Sequence, residues 1–215
     1  MKISILFTIL FTLGGYYVTQ PVDVPRKTSE HIIKVEDTYG SGTAFYLNYK
    51  NKVYLVTNNH VCGDSYGLSS IDGYHRVLKV SKKHDLCILD GRREVGLNLA
   101  KENIETFDEV HVVGFPLGQP VTHRHGTLVS EVSDIFPWIS EYPIRVLHLS
   151  LNVFGGNSGS PALNKYGRVV GVVFASNLRT HEDGYAVPKL DLIKFLEEQR
   201  IDKSLILLNK LIKKE

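Results

Sequence analysis

The sequence predicts an all-β protein that ends in a helical segment, and three observations carry that expectation. Short runs rich in β-branched and aromatic residues recur along most of the 215 residues. Clusters of glycine, aspartate and serine separate them, as turns require. No long stretch with helical apolar spacing interrupts them before residue 190, which argues against alternating strands and helices.

Two sets of runs follow one another. The first comprises Ile32–Val35, Thr43–Tyr49, Lys52–Thr57, Tyr74–Val80 and Leu86–Leu89. Tyr39-Gly40-Ser41-Gly42 and Ile71-Asp72-Gly73 supply turns within it. The second comprises Val110–Val113, Pro120–Ser130, Ile144–Leu149, Arg168–Ala175 and Gly184–Val187. Leu190 to Gln199 then has helical apolar spacing after Pro188. Ser204 to Lys214 sets Leu205, Leu207, Leu208, Leu211 and Ile212 among lysines, and a second helix is expected there.

The chain opens with Met1-Lys2, an apolar stretch from Ile3 to Leu13, and small residues. That pattern describes a secretory signal. The stretch is shorter than the roughly 20 residues of a spanning helix. Extended through Val18 it makes an anchor, so membrane association through residues 3–18 is the alternative to cleavage. Residues 1–20 are therefore read as signal peptide or signal anchor, and the protein is expected to be exported, periplasmic or extracellular. Residues 21–30, polar with two prolines, read as a linker, 31–197 as the folded domain and 198–215 as a helical tail.

Hydrophobic residues make up 43% and charged residues 22%, which is enough to build a core. A net charge of +2 gives no reason to expect a nucleic-acid partner. Cys62 and Cys87 are the two cysteines. Two readings stand for them: a disulfide in an exported protein, or two small buried apolar residues.

The chemistry is concentrated in Phe154-Gly155-Gly156-Asn157-Ser158-Gly159-Ser160-Pro161, a glycine-rich turn presenting Ser158. A serine becomes a nucleophile only if a base takes its proton and N–H groups receive the developing oxyanion. His60, closing one apolar run, supplies the base, and Asp85, opening another, supplies its orienter. The N–H groups of Gly156 and Ser158 are the expected oxyanion donors. His123 and His125 fall on one side of a strand. Two ligands without a third make no zinc site, so neither a metal nor a cofactor is expected.

Six segments share an order and approximate spacing with a known family. They are Gly40-Ser41-Gly42-Thr43-Ala44-Phe45, Val56-Thr57-Asn58-Asn59-His60-Val61, His84-Asp85-Leu86-Cys87-Ile88-Leu89, Val113-Gly114-Phe115-Pro116-Leu117-Gly118, Gly156-Asn157-Ser158-Gly159 and Gly184-Tyr185-Ala186-Val187-Pro188. From about residue 30 to residue 195 the chain resembles the trypsin-like serine peptidases, most of all the compact HtrA (Deg) branch without its PDZ domain. The order His60, Asp85, Ser158 is that of the chymotrypsin type. The resemblance implies two six-stranded antiparallel β-barrels, at about 31–100 and 108–190, with the active site between them. It implies a serine endopeptidase that cuts polypeptides through a His60-Asp85-Ser158 triad and an acyl-enzyme. A catalytically silent, protease-like peptide-binding module is the alternative. By the same resemblance Asn152, Phe174, Ala175, Ser176 and Gly184 line the substrate pocket. Asn152 stands where trypsins place an acidic residue, so small or medium apolar side chains are expected to fit. Ser160 stands where the family often has a second glycine.

Overall fold

In the computed structural model, residues 27–134, 144–177 and 182–198 are described. The export segment, most of the linker and the helix expected over 204–214 lie outside these residues. The first set of strands is β1 (Ile32–Glu36), β2 (Ser41–Tyr49), β3 (Lys52–Thr57), β4 (Gly67–Ser70), β5 (Gly73–Ser81), β6 (Leu86–Leu89) and β7 (Leu97–Asn98), with a one-turn helix α1 (Asn59–Cys62) after β3. The second set is β8 (Glu109–Gly114), β9 (Thr122–Asp134), β10 (Ile144–Ser150), β11 (Pro161–Asn164), β12 (Val169–Ser176) and β13 (Asp183–Pro188). A helix α2 follows directly over 189–198.

Each set closes on itself. In the first the order is β1-β4-β5-β6-β3-β2, and β2 returns to pair with β1 from Phe45↔Ile32 to Ser41↔Glu36. The far half of the same edge of β2 takes β7 in parallel, Leu47 opposite Leu97. In the second the order is β10-β13-β12-β11-β8-β9, closed by β9 on β10. The molecule is therefore two six-stranded antiparallel barrels with the short β7 added to the first. The β2–β3 hairpin turns on Lys50 and Asn51 at φ 46° and 62°, the two left-handed residues that a tight hairpin of matching twist demands. Strands β4, β7 and β11 are not among the expected runs. Each has four residues or fewer, too short for periodicity to reveal.

Burial explains why β2 and β12 read as continuous apolar runs. One face of β2, with Ala44 and Tyr46, fills the first barrel together with Val35, Leu55 and Leu89. The other face, with Phe45 and Leu47, joins Val172, Phe174 and Val187 in a core between the barrels. The second barrel is filled by Val112, Leu147, Leu149, Val170 and Val173. A strand buried on both faces has no polar alternation to show. Helix α2 completes the middle layer: Leu192, Phe195 and Leu196 recur at helical spacing and are buried in it. Its polar residues hold both barrels. Lys189 Nζ donates to the carbonyls of Ala100 and Glu102, Arg145 pairs with Asp191, and Tyr49 Oη donates to Glu197. Among the described residues no helix is long and apolar enough to cross a membrane.

The end of the expected linker is part of the domain. Ser29–His31 forms a 3-10 turn, Thr28 is buried, and the Glu30 carbonyl accepts a hydrogen bond from Arg93. Polarity in the sequence suggested a solvated tether here. Instead Thr28 is buried and the Glu30 carbonyl finds its partner on the barrel.

His123 and His125 do share a face of β9, and His111 of β8 sits against them, its Nδ1 2.8 Å from His123 Nε2. Burial pushes the His111 imidazole below its ordinary range, against the opposing pull of Glu109. His84 is lowered for the same reason, against the pull of Asp191. A depressed histidine favours the neutral form in the folded protein. Stability from these groups is complete above the unfolded histidine range and lost as pH falls through the folded values. The urea midpoint is therefore expected to drop between about pH 7.5 and about pH 5, across the unperturbed histidine value. An unchanged midpoint over that interval contradicts this assignment.

Candidate active site

The first barrel brings His60 and Asp85 together by topology. β3 and β6 are antiparallel neighbours, with Thr57 opposite Cys87. The end of β3 and the start of β6 therefore share one edge of the barrel. His60 follows β3 in α1, and Asp85 immediately precedes β6. His60 Nδ1 lies 2.7 Å from Asp85 Oδ2, and the His60 backbone N–H donates to Asp85 Oδ1 at 2.9 Å. With a carboxylate as acceptor the ring carries its proton on Nδ1 and leaves Nε2 as a base. Asp85 is buried, whereas the His60 side chain is 38% exposed.

Two local features hold Asp85. Its φ is 50°, uncommon for any residue but glycine. Asn58 Nδ2 donates to its carbonyl at 2.8 Å, which steadies that turn. Cys62 and Cys87, each two residues beyond a member of the pair, are joined in a disulfide that ties α1 to β6. The two cysteines are thus paired, and both are buried as well.

Ser158 comes from the second barrel, in the loop between β10 and β11. The loop is held from behind by its carbonyls. Gly155 O accepts the Leu117 N–H at 2.6 Å, and Asn157 O accepts the Ser160 N–H at 2.9 Å. In a trans peptide the N–H points opposite to the C=O. The N–H groups of Gly156 and Ser158 are therefore turned the other way, and neither has a partner among the described residues. Gly156 and Gly159 make this path feasible, with φ of 90° and 86°. A Cβ on Gly159 would lie 2.0 Å from the Thr43 carbonyl and 2.3 Å from Thr57 Oγ1, in the seam between the barrels. The Ser158 hydroxyl makes a long hydrogen bond, 3.5 Å, to the Phe174 carbonyl rather than to His60.

His60 and Ser158 line two cavities, one on either side of them. One, of about 430 Å³, is walled by Val153, Phe154, Gly155, Phe174, Ala175 and Ser176. Three of the residues expected to line the substrate pocket, Phe174, Ala175 and Ser176, are there. Asn152 is exposed and outside this lining, while its two neighbours, Leu151 and Val153, are buried. Gly184 also lies outside it, packed behind Val153, whose Cγ2 would stand 2.6 Å from a Cβ at that position. Beside Phe154 and Gly155, Val153 is a wall residue that the sequence reading did not name individually. Its signal was one apolar residue on each side of Asn152. The other cavity, about 660 Å³, is lined by Asp37, Tyr39, Gly40, Asp64 and their neighbours.

This arrangement defines a class, and comparison with known proteins agrees with it. Residues 40–172 match the model of the trypsin-like peptidase domain. The match covers more than half of the chain, which therefore belongs to that family. Serine protease Do-like HtrA of Bacillus subtilis (strain 168) is 29% identical over 183 residues, 76% of this chain and 40% of the relative. Serine protease Do-like HtrB of the same organism is 25% identical over 176 residues, 74% of this chain and 38% of the relative. The chain thus spans about two fifths of the length of these curated relatives. Among solved structures, the active form of the Rv3671c protease from M. tuberculosis matches with a TM-score of 0.69 and 22% identity, covering 80% of this chain and 82% of that one. The HtrA-type protease AlgW with a tripeptide matches with a TM-score of 0.70 and 20% identity, covering 81% and 61%. These two likenesses are likenesses of fold.

Gly159 and Gly155 give a paired test of the loop. Gly159→Ala is expected to destabilise by at least about 2 kcal/mol, from overpacking and a strained φ. Gly155→Ala meets nothing within 4 Å and has no positive φ, so its melting temperature stays near that of the parent. Equal melting temperatures for the two variants would contradict the loop path described.

Proposed function

We propose that the protein is a serine endopeptidase in which His60, Asp85 and Ser158 act as a catalytic triad through an acyl-enzyme. The observation that carries the reading is the His60–Asp85 pair facing Ser158 across the barrel seam, with two unengaged N–H groups beside the serine. Rotation of the Ser158 side chain away from Phe174 O brings Oγ to His60. As Oγ attacks the substrate carbonyl carbon, its proton passes to His60 Nε2. Asp85 steadies the imidazolium that forms. The N–H groups of Gly156 and Ser158 take the oxyanion. Collapse expels the amine, which leaves with the proton from His60. A water then repeats the sequence on the ester and frees Ser158.

The 430 Å³ cavity takes the side chain preceding the scissile bond. Its walls carry no Asp, Glu, Lys or Arg side chain, and His60 stands at the mouth. Asp183, close in sequence, is engaged with His148 at 2.9 Å. Burying an unpaired cation there costs several kcal/mol. Small to medium aliphatic residues are therefore the substrates of choice. Profiling of cleavage sites in a peptide pool is expected to show them favoured over Lys and Arg by at least about tenfold. A basic preference would overturn this assignment. Export is part of the same proposal: a disulfide between buried cysteines fits an oxidising compartment, as does the N-terminal segment read from the sequence.

One observation favours a second reading, a module that binds peptides without cutting them: the Ser158 hydroxyl faces Phe174 O in the resting structure. Titration with a fluorophosphonate separates the two. Stoichiometric labelling of Ser158, and loss of turnover by about a millionfold in Ser158→Ala, are expected of the peptidase. A folded protein that takes up no label at Ser158 would establish the second reading.

A further inference from the structure

We infer that Thr43 is a positioning residue for the oxyanion donors, a role that rests on the reading of Ser158 as the nucleophile. The loop around Ser158 has five consecutive carbonyls, and each has a donor. Phe154 O takes the Asn157 N–H, Gly155 O the Leu117 N–H, Asn157 O the Ser160 N–H, and Ser158 O the Thr43 N–H at 2.8 Å. The fifth, Gly156 O, takes the Thr43 hydroxyl at 2.8 Å. Four of these donors are backbone, and Thr43 Oγ1 alone belongs to a side chain.

The same oxygen has a second task. It accepts the Phe115 N–H at 3.1 Å. Phe115 leads into the Pro116–Gly118 turn, where Leu117 holds φ 53° and aims its N–H at Gly155 O. The Gly155–Gly156 peptide is thus set by a segment that Thr43 fixes at its root. Thr43 Oγ1 bridges the nucleophile loop and the turn that orients the Gly156 N–H. Thr43 is itself fully buried in β2 and held by its own carbonyl, which accepts the Thr57 hydroxyl at 2.7 Å. It reaches the substrate through the loop and touches no reacting atom, since Ser158 and the loop lie between.

A neighbouring observation fits this role. Ser160 Oγ is buried with no hydrogen-bond partner among the described residues. A Cβ placed on Gly114 would lie 2.0 Å from that oxygen and 3.0 Å from Thr43 Oγ1. The space behind the loop is thus filled to contact, but the Ser160 hydroxyl holds nothing there. Thr43 is the polar side chain that carries the load.

The test is a series at this position: Thr43→Val, which keeps the shape and removes donor and acceptor, Thr43→Ser, which keeps both, and Thr43→Cys, whose thiol is a weak donor. With a peptide substrate, kcat is expected to fall by roughly 10- to 100-fold in Thr43→Val, the scale of one or two lost buried hydrogen bonds, with KM near that of the parent. Affinity for a peptide aldehyde, which adds to the serine and forms the tetrahedral oxygen, should weaken by the same factor. Thr43→Ser should recover most of the loss, and Thr43→Cys should lie between. If Thr43→Val does not fold, Thr43→Cys against Thr43→Ser carries the same comparison. Unchanged kcat in Thr43→Val, a loss confined to KM, or a serine variant no better than valine would overturn the role. Fluorophosphonate labelling of the parent protein tests the underlying reading separately. A labelled parent with an unaffected Thr43→Val ends this inference alone, and an unlabelled parent ends both.

Discussion

The constraint on which the site depends is that the loop carrying Ser158 must show two N–H groups to the cleft while every carbonyl beside them is satisfied from behind. An unpaired buried carbonyl costs as much as a lost hydrogen bond or more, so the loop cannot adopt this path alone. It borrows donors from two other segments, Thr43 on β2 and Leu117 after β8. The first barrel supplies one and the second supplies the other. That is why the seam between the barrels must be close enough for Gly159, with no side chain, to lie against the Thr43 carbonyl. The apolar layer of Phe45, Val172, Phe174 and the α2 residues Leu192 and Phe195 holds the barrels at that distance.

The other half of the site needs no such cooperation between barrels. His60 and Asp85 sit at one edge of a single sheet, placed by the register of β3 against β6. The Asn58 bond and the Cys62–Cys87 disulfide brace the two ends locally. The assembly is therefore modular. One barrel carries the His60–Asp85 pair, the other carries Ser158, and Thr43 is where the first reaches into the loop of the second.

Much of this was legible in the residues. β2 and β3 show as runs of β-branched and aromatic residues, the four residues of β6 are apolar throughout, and glycines with serine in one turn announce a strained backbone presenting a hydroxyl. The chain order of His60, Asp85 and Ser158 added the relation among them. The short strands escaped, because four residues such as Gly67–Ser70 carry too little pattern. Thr28 to Glu30 escaped because polarity hides a segment in which Thr28 is buried and the Glu30 carbonyl bonds to Arg93. Asn152 was placed by its distance from Ser158 along the chain, whereas burial decides which residue reaches the wall, and in this stretch Val153 is buried and Asn152 exposed. Thr43 left one trace, a hydroxyl near the start of a buried strand. Only the three-dimensional path of the 154–158 carbonyls gives it meaning.

The most direct measurement is the crystal structure of the protein with a peptide boronate bound. The account predicts a covalent bond from Ser158 Oγ to boron, with one boronate oxygen about 2.7–3.1 Å from the N–H groups of both Gly156 and Ser158, and the Gly155 carbonyl still on Leu117. A boronate oxygen pointing to solvent, with the Gly155–Gly156 peptide turned over, would contradict it.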